Sequence, residues 1–499
     1  MIDWGFWLPQ LMVFSSLVTG LLIFLLREEQ VRVRTGLNVL GAAAKLVIAA
    51  IVGWGVLAHG QRFESHLPFL HDQVLFFRVD SLSLLLVALS SVLWFVTTIY
   101  AVGYLEGSPH RTRFFGFFSL CVTATIGIAL AGNLITFLIF YEMLSVTTYP
   151  LVVHRGTPRA IAAGRSYLLY TLLGGGLLLA AVVWLQAIAG PVTFQPGGSL
   201  APLADTHHGA LVAIFALMIA GLGVKAAVVP LHRWLPQAMV APAPVSALLH
   251  AVAVVKAGAY GIVRVIHDVY GVELALDLGV LTPVAIAAGV TIVYGSVRAL
   301  PQRDLKRRLA FSTVSQVSYI ALGAALAHPL ATVGAVVHLV HQGIMKITLF
   351  LCAGLFAETR GIHAIRELRG VGRVMPWTMG AFTVGAFGMI GAPPLAGFIS
   401  KWYLGLGAIE AGHPWVVAVL VASTLLNAAY FLPVVYLGWF GRPPEASEEE
   451  TRARPEAKSS LLVPALATAA LSIAAGALAG SNLSPLSLAE VAAEERSAP

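Results

Sequence analysis

Residues 221–258 read GLGVKAAVVPLHRWLPQAMVAPAPVSALLHAVAVVKAG, and this stretch decides the fold. Lys225 and Lys256 stand among apolar residues, and Pro230 lies between them. A lysine in hydrocarbon costs roughly 3 kcal/mol, so such residues are rare and indicate an ion path or a proton relay. Pro230 removes a backbone donor and clashes with the preceding turn, which predicts a break in its helix. The stretch therefore predicts a broken membrane helix beside buried charges.

The same arrangement recurs in GMIGAPPLAGFISKWYL, residues 388–404. Pro393 and Pro394 interrupt the apolar run, and Lys401 follows the interruption. Broken helices at membrane depth are tolerated where they line a polar cavity, and paired interruptions in two halves of a chain indicate inverted repeats. The alternative is that both are ordinary proline kinks.

The composition places nearly the whole chain in a bilayer. Of its 499 residues, 58% are hydrophobic and 11% are charged, whereas soluble domains carry about 25% charged residues. Cys121 and Cys352 both lie in apolar runs and form no metal or disulfide pattern. With no redox motif either, we expect no cofactor and no metal. The net charge is +7. Its lysines and arginines are concentrated in loops on one side of the predicted spans, which is a signal of membrane topology, so we expect no nucleic-acid partner.

The apolar stretches predict an all-α polytopic membrane protein with 14 transmembrane helices. Predicted helices 4–8 and 9–13 would form two inverted five-helix repeats, with helices 7 and 12 broken. The expected organisation is an N-terminal unit (1–111), a first repeat (112–267), a second repeat (276–440), a polar cytoplasmic loop (441–460), helix 14 (461–481) and a short polar tail (482–499).

Lysine and arginine orient the chain. With fourteen spans, 22 of them fall in loops on one side and 4 on the other, and the basic side is cytoplasmic. Both termini are therefore predicted on the outer, periplasmic side of the inner (cytoplasmic) membrane. The first helix lacks a basic n-region and a cleavage site, so we expect it to be retained.

Glu142, in predicted helix 5, is expected to face Lys225, because a buried carboxylate stays charged only beside a positive group. The pair would open and close during proton transfer; the alternative is a static ion pair between two helices. His250 lies six residues before Lys256 and would link it to Lys225. The alternative for His250 is a hydrogen-bonded core histidine.

Predicted helix 11 carries His338, His341 and Lys346, with Gln342 on the same face as His338 and Lys346. We interpret this face as a proton path or a hydrated cavity; without acidic ligands, a metal site is not expected. Lys401 would be the last group before the outlet, solvated by Ser400 and Tyr403.

Two further charged residues receive structural interpretations. Lys45 is expected to extend toward the cytoplasmic interface. Asp80, at the start of predicted helix 3, is expected to cap that helix.

The stretch 221–258 closely resembles the core signature of the proton-antiporter-like membrane subunits of respiratory complex I, Mrp-type sodium/proton antiporters and membrane-bound hydrogenases, and the resemblance covers roughly 80–440. It implies the inverted repeats and a midplane chain of polar residues. In size and in helix 11 the chain is most similar to the D-type antiporter protein of Mrp complexes, although Gln342 stands where that group often has a second histidine. The positions that match the family's functional residues are Glu142, Lys225, Lys256, His338, His341, Lys346 and Lys401.

The resemblance implies a proton- or Na⁺/H⁺-translocating subunit of a multi-subunit membrane complex. Its partners would be other membrane subunits, the lipid bilayer, protons and, in an antiporter assembly, Na⁺. An alternative is the membrane energy-coupling subunit of an inorganic-carbon (CO₂ or bicarbonate) uptake complex with a soluble zinc partner. The proteins that copurify with the chain would distinguish these settings.

Overall fold

A computed structural model of the chain describes residues 4–70, 73–442 and 456–497, and most of them are helical. The helices, in chain order, are α1 (Trp4–Phe24), α2 (Val31–His59), α3 (Ser81–Tyr104), α4 (Arg111–Leu130), α5 (Leu134–Val152), α6 (Pro158–Ala189), α7 (Ala204–Lys225), α8 (Trp234–Gln237), α9 (Ala243–Ala251), α10 (Val254–Arg264), α11 (Val272–Asp277), α12 (Leu281–Ala299), α13 (Leu305–Ala325), α14 (Pro329–Arg360), α15 (Pro376–Ile390), α16 (Ala396–Glu410), α17 (Trp415–Phe440), α18 (Ser459–Ala477) and α19 (Pro485–Ser497).

Twelve helical segments of the described residues are long and apolar enough to cross a membrane. They are α1 to α6, α7 with its preceding turn, the segment Ala243–Tyr270, α12, α14, α17 and α18. Only 28% of the residues in the 18-residue apolar stretch of α2 are buried, whereas all residues in the corresponding stretches of α14 and of Ala243–Tyr270 are buried. The protein is a polytopic membrane protein, and its two innermost segments are those that carry His250, Lys256 and Lys346.

Two helical interruptions lie beside lysines. Helix α7 ends at Lys225, and helical structure resumes at Trp234, after Pro230. Helix α15 ends at Ile390 and α16 begins at Ala396, with Pro393 and Pro394 in the gap. Each interruption leaves backbone groups at the helix ends without an intrahelical partner, and a neighbouring side chain can bond them.

A third interruption was not expected, because no proline or glycine marks it. The spanning segment Ala243–Tyr270 is divided into α9 and α10 at Val252 and Ala253, and it continues beyond Arg264 as a π-helical turn, Val265–Tyr270. Helix α14 approaches the first division closely: a Cβ on Gly343 would lie 2.8 Å from the carbonyl oxygen of Ala251. His250 and Lys256 thus lie on either side of a helix break.

An antiparallel hairpin departs from the all-α expectation. Strand β1 (Phe63–Leu70) pairs with β2 (Gln73–Val79), and Phe63 lies opposite Val79. An ion pair between the strands joins Arg78 Nε to Glu64 Oε1 at 2.8 Å.

The predicted polar tail contains helix α19, which closes a buried charge cluster. Arg264 bonds Asp80 at 2.5 Å and Asp268 at 2.6 Å, and Arg496 of α19 pairs with Asp80 at 3.1 Å and with Asp268 at 2.9 Å. Asp80 also caps α3, accepting a hydrogen bond from the Ser83 amide at 2.7 Å. Although burial acts to raise it, the two arginines hold the pKa of Asp80 below its ordinary value. The start of α3 and the end of α10 are thus joined to α19 by four ion-pair contacts between two arginines and two aspartates.

A candidate ion-conducting site in the membrane interior

The charged and imidazole side chains singled out from the sequence are nearly all removed from solvent and lipid. Glu142 and Lys401 are half-buried. The side chains that are 0% exposed are Lys225, His250, Lys256, His338, His341 and Lys346.

Glu142 and Lys225 do not form the expected pair in this structure. The Lys225 ammonium donates to the carbonyl oxygen of Tyr141 and lies 3.2 Å from the centroid of the Tyr141 ring. Oε1 of Glu142 is buried and has no hydrogen-bond partner among the described residues. A static ion pair between α5 and α7 is therefore not what this structure contains.

Small residues let the helices around this pair approach closely. The Glu142 carboxylate packs so near Gly175 of α6 that a Cβ there would collide with it. A Cβ on Gly258 of α10 would lie 2.8 Å from the carbonyl carbon of Lys225. The indole of Trp234 donates to the Val224 carbonyl oxygen at 2.8 Å, which satisfies one of the free acceptors at the end of α7.

His250 and Lys256 have no direct bond to each other. The His250 ring stacks on Phe350 of α14, with centroids 4.5 Å apart. Neither ring nitrogen of His250 nor the Lys256 ammonium has a hydrogen-bond partner among the described residues. Buried polar groups without a protein partner are ordinarily satisfied by ordered water, so this central region is suited to hold water.

Lys346 begins a chain of three hydrogen-bonded polar side chains that sequence reasoning missed. Its ammonium donates to Ser312 Oγ of α13 at 2.7 Å. The Tyr430 hydroxyl of α17 is 2.8 Å from Ser312 Oγ and donates to Asn427 Oδ1 at 2.5 Å. We call Ser312, Tyr430 and Asn427 the hydroxyl–amide bridge.

The bridge ends beside Lys401. Asn427 Nδ2 donates to the Met389 carbonyl oxygen at 3.2 Å, and the Lys401 ammonium donates to the same oxygen at 3.1 Å. Lys401 also donates to the carbonyl oxygen of Ile390 at 2.6 Å and to Thr424 Oγ1 at 3.2 Å. The free carbonyls at the end of α15 carry partial negative charge, which favours the ammonium.

The expected neighbours of Lys401 bond elsewhere, because they lie on other faces of α16. Ser400 Oγ is 2.7 Å from His338 Nδ1, and the Tyr403 hydroxyl donates to Glu490 of α19 at 2.9 Å. His341 and Gln342 have no hydrogen-bond partners for their side-chain polar atoms among the described residues.

Lys45 does not extend to the interface as expected. Its side chain is 0% exposed, and its ammonium donates to Ser16 of α1 at 2.5 Å. The physical reason is that this turn of α2 packs against α1 and α3, which supply the Ser16 hydroxyl and the Trp94 ring.

A wide cavity of about 820 Å³ opens beside α9 and α13. Lys306 lies in the first turn of α13, because Asp304 caps that helix through the Arg307 amide at 2.8 Å. The Lys306 ammonium donates to the Ala241 carbonyl oxygen at 2.7 Å. We call this cavity the basic vestibule; its charged lining residues and histidine are Arg155, Arg159, Asp304, Lys306, Arg307 and His363.

The polar spacing on α17 was a usable signal. Thr424, Asn427 and Tyr430 recur every three residues within a largely apolar helix, which places them near one face. No group of three or more His, Cys, Asp or Glu side chains that could hold a metal ion occurs among the described residues.

Comparison with known proteins gives consistent matches. The family described as NADH:quinone oxidoreductase/Mrp antiporter, TM, matches residues 131–431. The family described as NADH-Ubiquinone oxidoreductase (complex I), chain 5 N-terminus, matches residues 73–115.

Individual relatives extend over most of the chain. NADH-quinone oxidoreductase subunit N of Desulforudis audaxviator (strain MP104C) is 35% identical over 478 residues, which cover 92% of this chain and 93% of that protein. Hydrogenase-4 component B of Escherichia coli (strain K12) is 31% identical over 433 residues, 82% of this chain and 63% of its own length. A chain in the structure of the Mrp complex from Dietzia sp. DQ12-45-1b superposes with a TM-score of 0.86 at 25% identity, covering 100% of this chain and 98% of that one. The chain therefore belongs to the NADH:quinone oxidoreductase/Mrp antiporter family of membrane subunits.

Proposed function

We propose that this chain is a proton-translocating subunit of a larger membrane complex, conducting protons through its interior along buried lysines. The observation that carries the proposal is the hydroxyl–amide bridge, which joins the Lys346 ammonium to the carbonyl that also binds Lys401. Ionisable residues inside membrane segments mark ion pathways and proton relays, and this bridge connects two of them through hydrogen-bonded side chains.

We propose fourteen membrane spans in two inverted repeats. Twelve segments qualify by length and composition; α13 and the interrupted pair α15–α16 would supply the other two. The pairing of α7 with α15–α16, each interrupted beside a lysine, supports a first repeat within 112–267 and a second within 276–440.

We also infer the orientation and the remaining segments. The bias of Lys and Arg supports an inner-membrane protein with both termini on the periplasmic side. The N-terminal unit (1–111), the cytoplasmic loop (441–460), of which 443–455 lie outside the described residues, the last span (461–481) and the outer tail (482–499) complete the proposed organisation.

Proton uptake would begin at the basic vestibule, which this orientation places on the cytoplasmic side. The vestibule reaches Ala243, the first residue of α9, and His250 lies about 10 Å deeper along the same helix. From this region protons would pass between Lys225, Lys256 and Lys346.

The last part of the path has a defined direction of donation. Lys346 donates to Ser312, whose hydroxyl can donate to Tyr430, and Tyr430 donates to Asn427 Oδ1. A proton gained at Asn427 Oδ1 is passed on only when Asn427 Nδ2 releases one. Because Nδ2 and Lys401 both donate to the Met389 carbonyl oxygen, we assign that release, and delivery to an uncharged Lys401, to water beside that oxygen. His338 and its bond to Ser400 would offer a second approach to α16.

Glu142 would act as the electrostatic switch. The structure holds the Lys225 ammonium on the Tyr141 carbonyl rather than on Glu142, which corresponds to the open state of the pair. Closing it would stabilise charged Lys225, and opening it would favour proton release toward Lys256. Driving energy would come from partner subunits, as a redox reaction or, in an antiporter assembly, a Na⁺ gradient.

The test uses the native complex, purified through this chain and reconstituted in liposomes, with proton movement followed by a pH-sensitive dye. We expect Lys346→Met to abolish coupled proton translocation while the complex still assembles. Lys458→Met, at an exposed lysine, should leave it unchanged. An assembled Lys346→Met complex that pumps at the wild-type rate would contradict the proposal.

The same purification distinguishes the energy source. Hydrogenase, dehydrogenase or Mrp-type partners would support the proposal. A soluble zinc protein as the sole partner would indicate the inorganic-carbon alternative instead.

A further inference from the structure

Lys45 contacts a serine hydroxyl of α1 and an indole ring of α3, and a threonine hydroxyl of α4 bonds that serine. Its ammonium donates to Ser16 Oγ at 2.5 Å and lies 5.1 Å from the centroid of the Trp94 ring of α3. Thr123 of α4 donates to the same Ser16 oxygen at 2.9 Å. An ammonium has three N–H donors, and Ser16 accepts only one of them.

A row of buried polar groups runs along α3 on either side of Trp94. Residues spaced by three and four lie on one face of a helix, and Trp94 shares its face with two serines and two threonines. Ser119 of α4 is similarly buried. The polar atoms of these side chains have no hydrogen-bond partner among the described residues: Ser90 Oγ, Ser91 Oγ, Trp94 Nε1, Thr97 Oγ1, Thr98 Oγ1 and Ser119 Oγ.

The helices around Lys45 bring no opposite charge to it. Helices α1 and α3 contain no Asp, Glu, Lys, Arg or His, and the other charged residues and the one histidine of α2 and α4 lie in their first or last turns. The groups that face the ammonium are Ser16, Trp94 and Thr123, none of which changes charge near neutral pH. An unpaired ammonium in such a setting is stable only if water solvates it or if it gives up its proton.

Many unpartnered polar atoms on one helix face indicate ordered water, since leaving each of them dry costs about 1–3 kcal/mol. We propose that Lys45 is a proton-binding site within a water-containing cluster between α1, α2, α3 and α4. We call it the Lys45 cluster: Ser16, Lys45, Thr123, Ser119 and the polar face of α3. It lies outside the chain of lysines from Lys225 to Lys401, and its ligands are a proton and the water that delivers it.

The first measurement tests for water in the Lys45 cluster and needs no amino-acid substitution. X-ray radiolysis converts bound water into hydroxyl radicals that oxidise adjacent side chains, and mass spectrometry locates the products. Trp94 and Trp234 are both 0% exposed, but the Trp234 indole already bonds a carbonyl. We expect Trp94 to be oxidised at least about tenfold faster than Trp234. No detectable oxidation of Trp94 would show a dry cluster and overturn the proposal.

The second measurement counts protons. In an acid–base titration of the purified full chain, Lys45→Met should bind one proton fewer than wild type at pH values below the range near pH 10.4 in which exposed lysines ordinarily titrate. Lys458→Met is the matched control and should change only the alkaline part of the curve. Lys45→Arg keeps the charge but cannot release the proton, so it gives the same test if the methionine variant fails to fold. Titration curves that coincide with wild type for Lys45→Arg would overturn the proposal.

Discussion

Replacing Tyr430 with phenylalanine removes one oxygen from the hydroxyl–amide bridge and changes little else, because the side chain is fully buried and the ring is retained. The hydroxyl is 2.8 Å from Ser312 Oγ and 2.5 Å from Asn427 Oδ1. Its loss leaves a buried acceptor without its donor, at a cost of about 1–3 kcal/mol. If that cost falls on the transfer barrier, the rate of proton transfer from Lys346 to Lys401 decreases about 5-fold to 150-fold.

The assay is coupled proton translocation by the native complex in liposomes, measured alongside the melting temperature. Tyr436→Phe is the matched control, since Tyr436 lies on the same helix but is 66% exposed. We expect Tyr430→Phe to slow translocation while lowering the melting temperature only modestly, and Tyr436→Phe to do neither. Translocation at the wild-type rate by a folded Tyr430→Phe complex would show that protons do not use this bridge.

Two further substitutions test the packing of Gly258 against α7 and the charge cluster formed by Asp80, Asp268, Arg264 and Arg496. Gly258→Ala places a Cβ 2.8 Å from the carbonyl carbon of Lys225, so we expect destabilisation of about 1–3 kcal/mol and a lower melting temperature. Gly176→Ala is the control and should not change the melting temperature, because its Cβ would meet nothing within 4 Å. Equal effects of the two substitutions would refute the packing argument. Arg496→Gln leaves two buried carboxylates with Arg264 alone, at a cost of about 3–5 kcal/mol, while exposed Arg303→Gln should be neutral. The pKa of Asp80 is lowered in the folded protein, so the charged carboxylate stabilises the fold above its unfolded pKa of about 3.9, and this stabilisation is lost on acidification through the folded pKa. The difference in melting temperature between wild type and Arg496→Gln should therefore shrink below about pH 4. A difference that does not depend on pH would contradict this account.

The lysines of the interior were visible in the sequence because a charge in an apolar run has few explanations. Ser312, Tyr430 and Asn427 were missed because hydroxyl and amide groups are common in membrane helices and meet only when α13, α14 and α17 pack together. The residue pattern of one helix does not indicate which face of another helix will pack against it.

The errors at helix boundaries have similar causes. Both proline interruptions were foreseen, but the division between α9 and α10 was not, because Ala251, Val252 and Ala253 contain no local breaker. The close approach of Gly343 from α14 accompanies that division and depends on tertiary packing. Lys45 was misplaced for the same reason, since its hydroxyl neighbours come from α1 and α4.

The charge cluster of Asp80, Asp268, Arg264 and Arg496 also sets an order of events during biosynthesis. Asp80 and Arg496 are separated by 416 positions, so a ribosome completes nearly all the spans before the second arginine exists. Until then, Asp80 and Asp268 share only Arg264, so two carboxylates face one guanidinium. The cluster therefore closes only after the spans that precede α19 have been synthesised, and the junction of α3 and α10 with α19 forms late in biosynthesis.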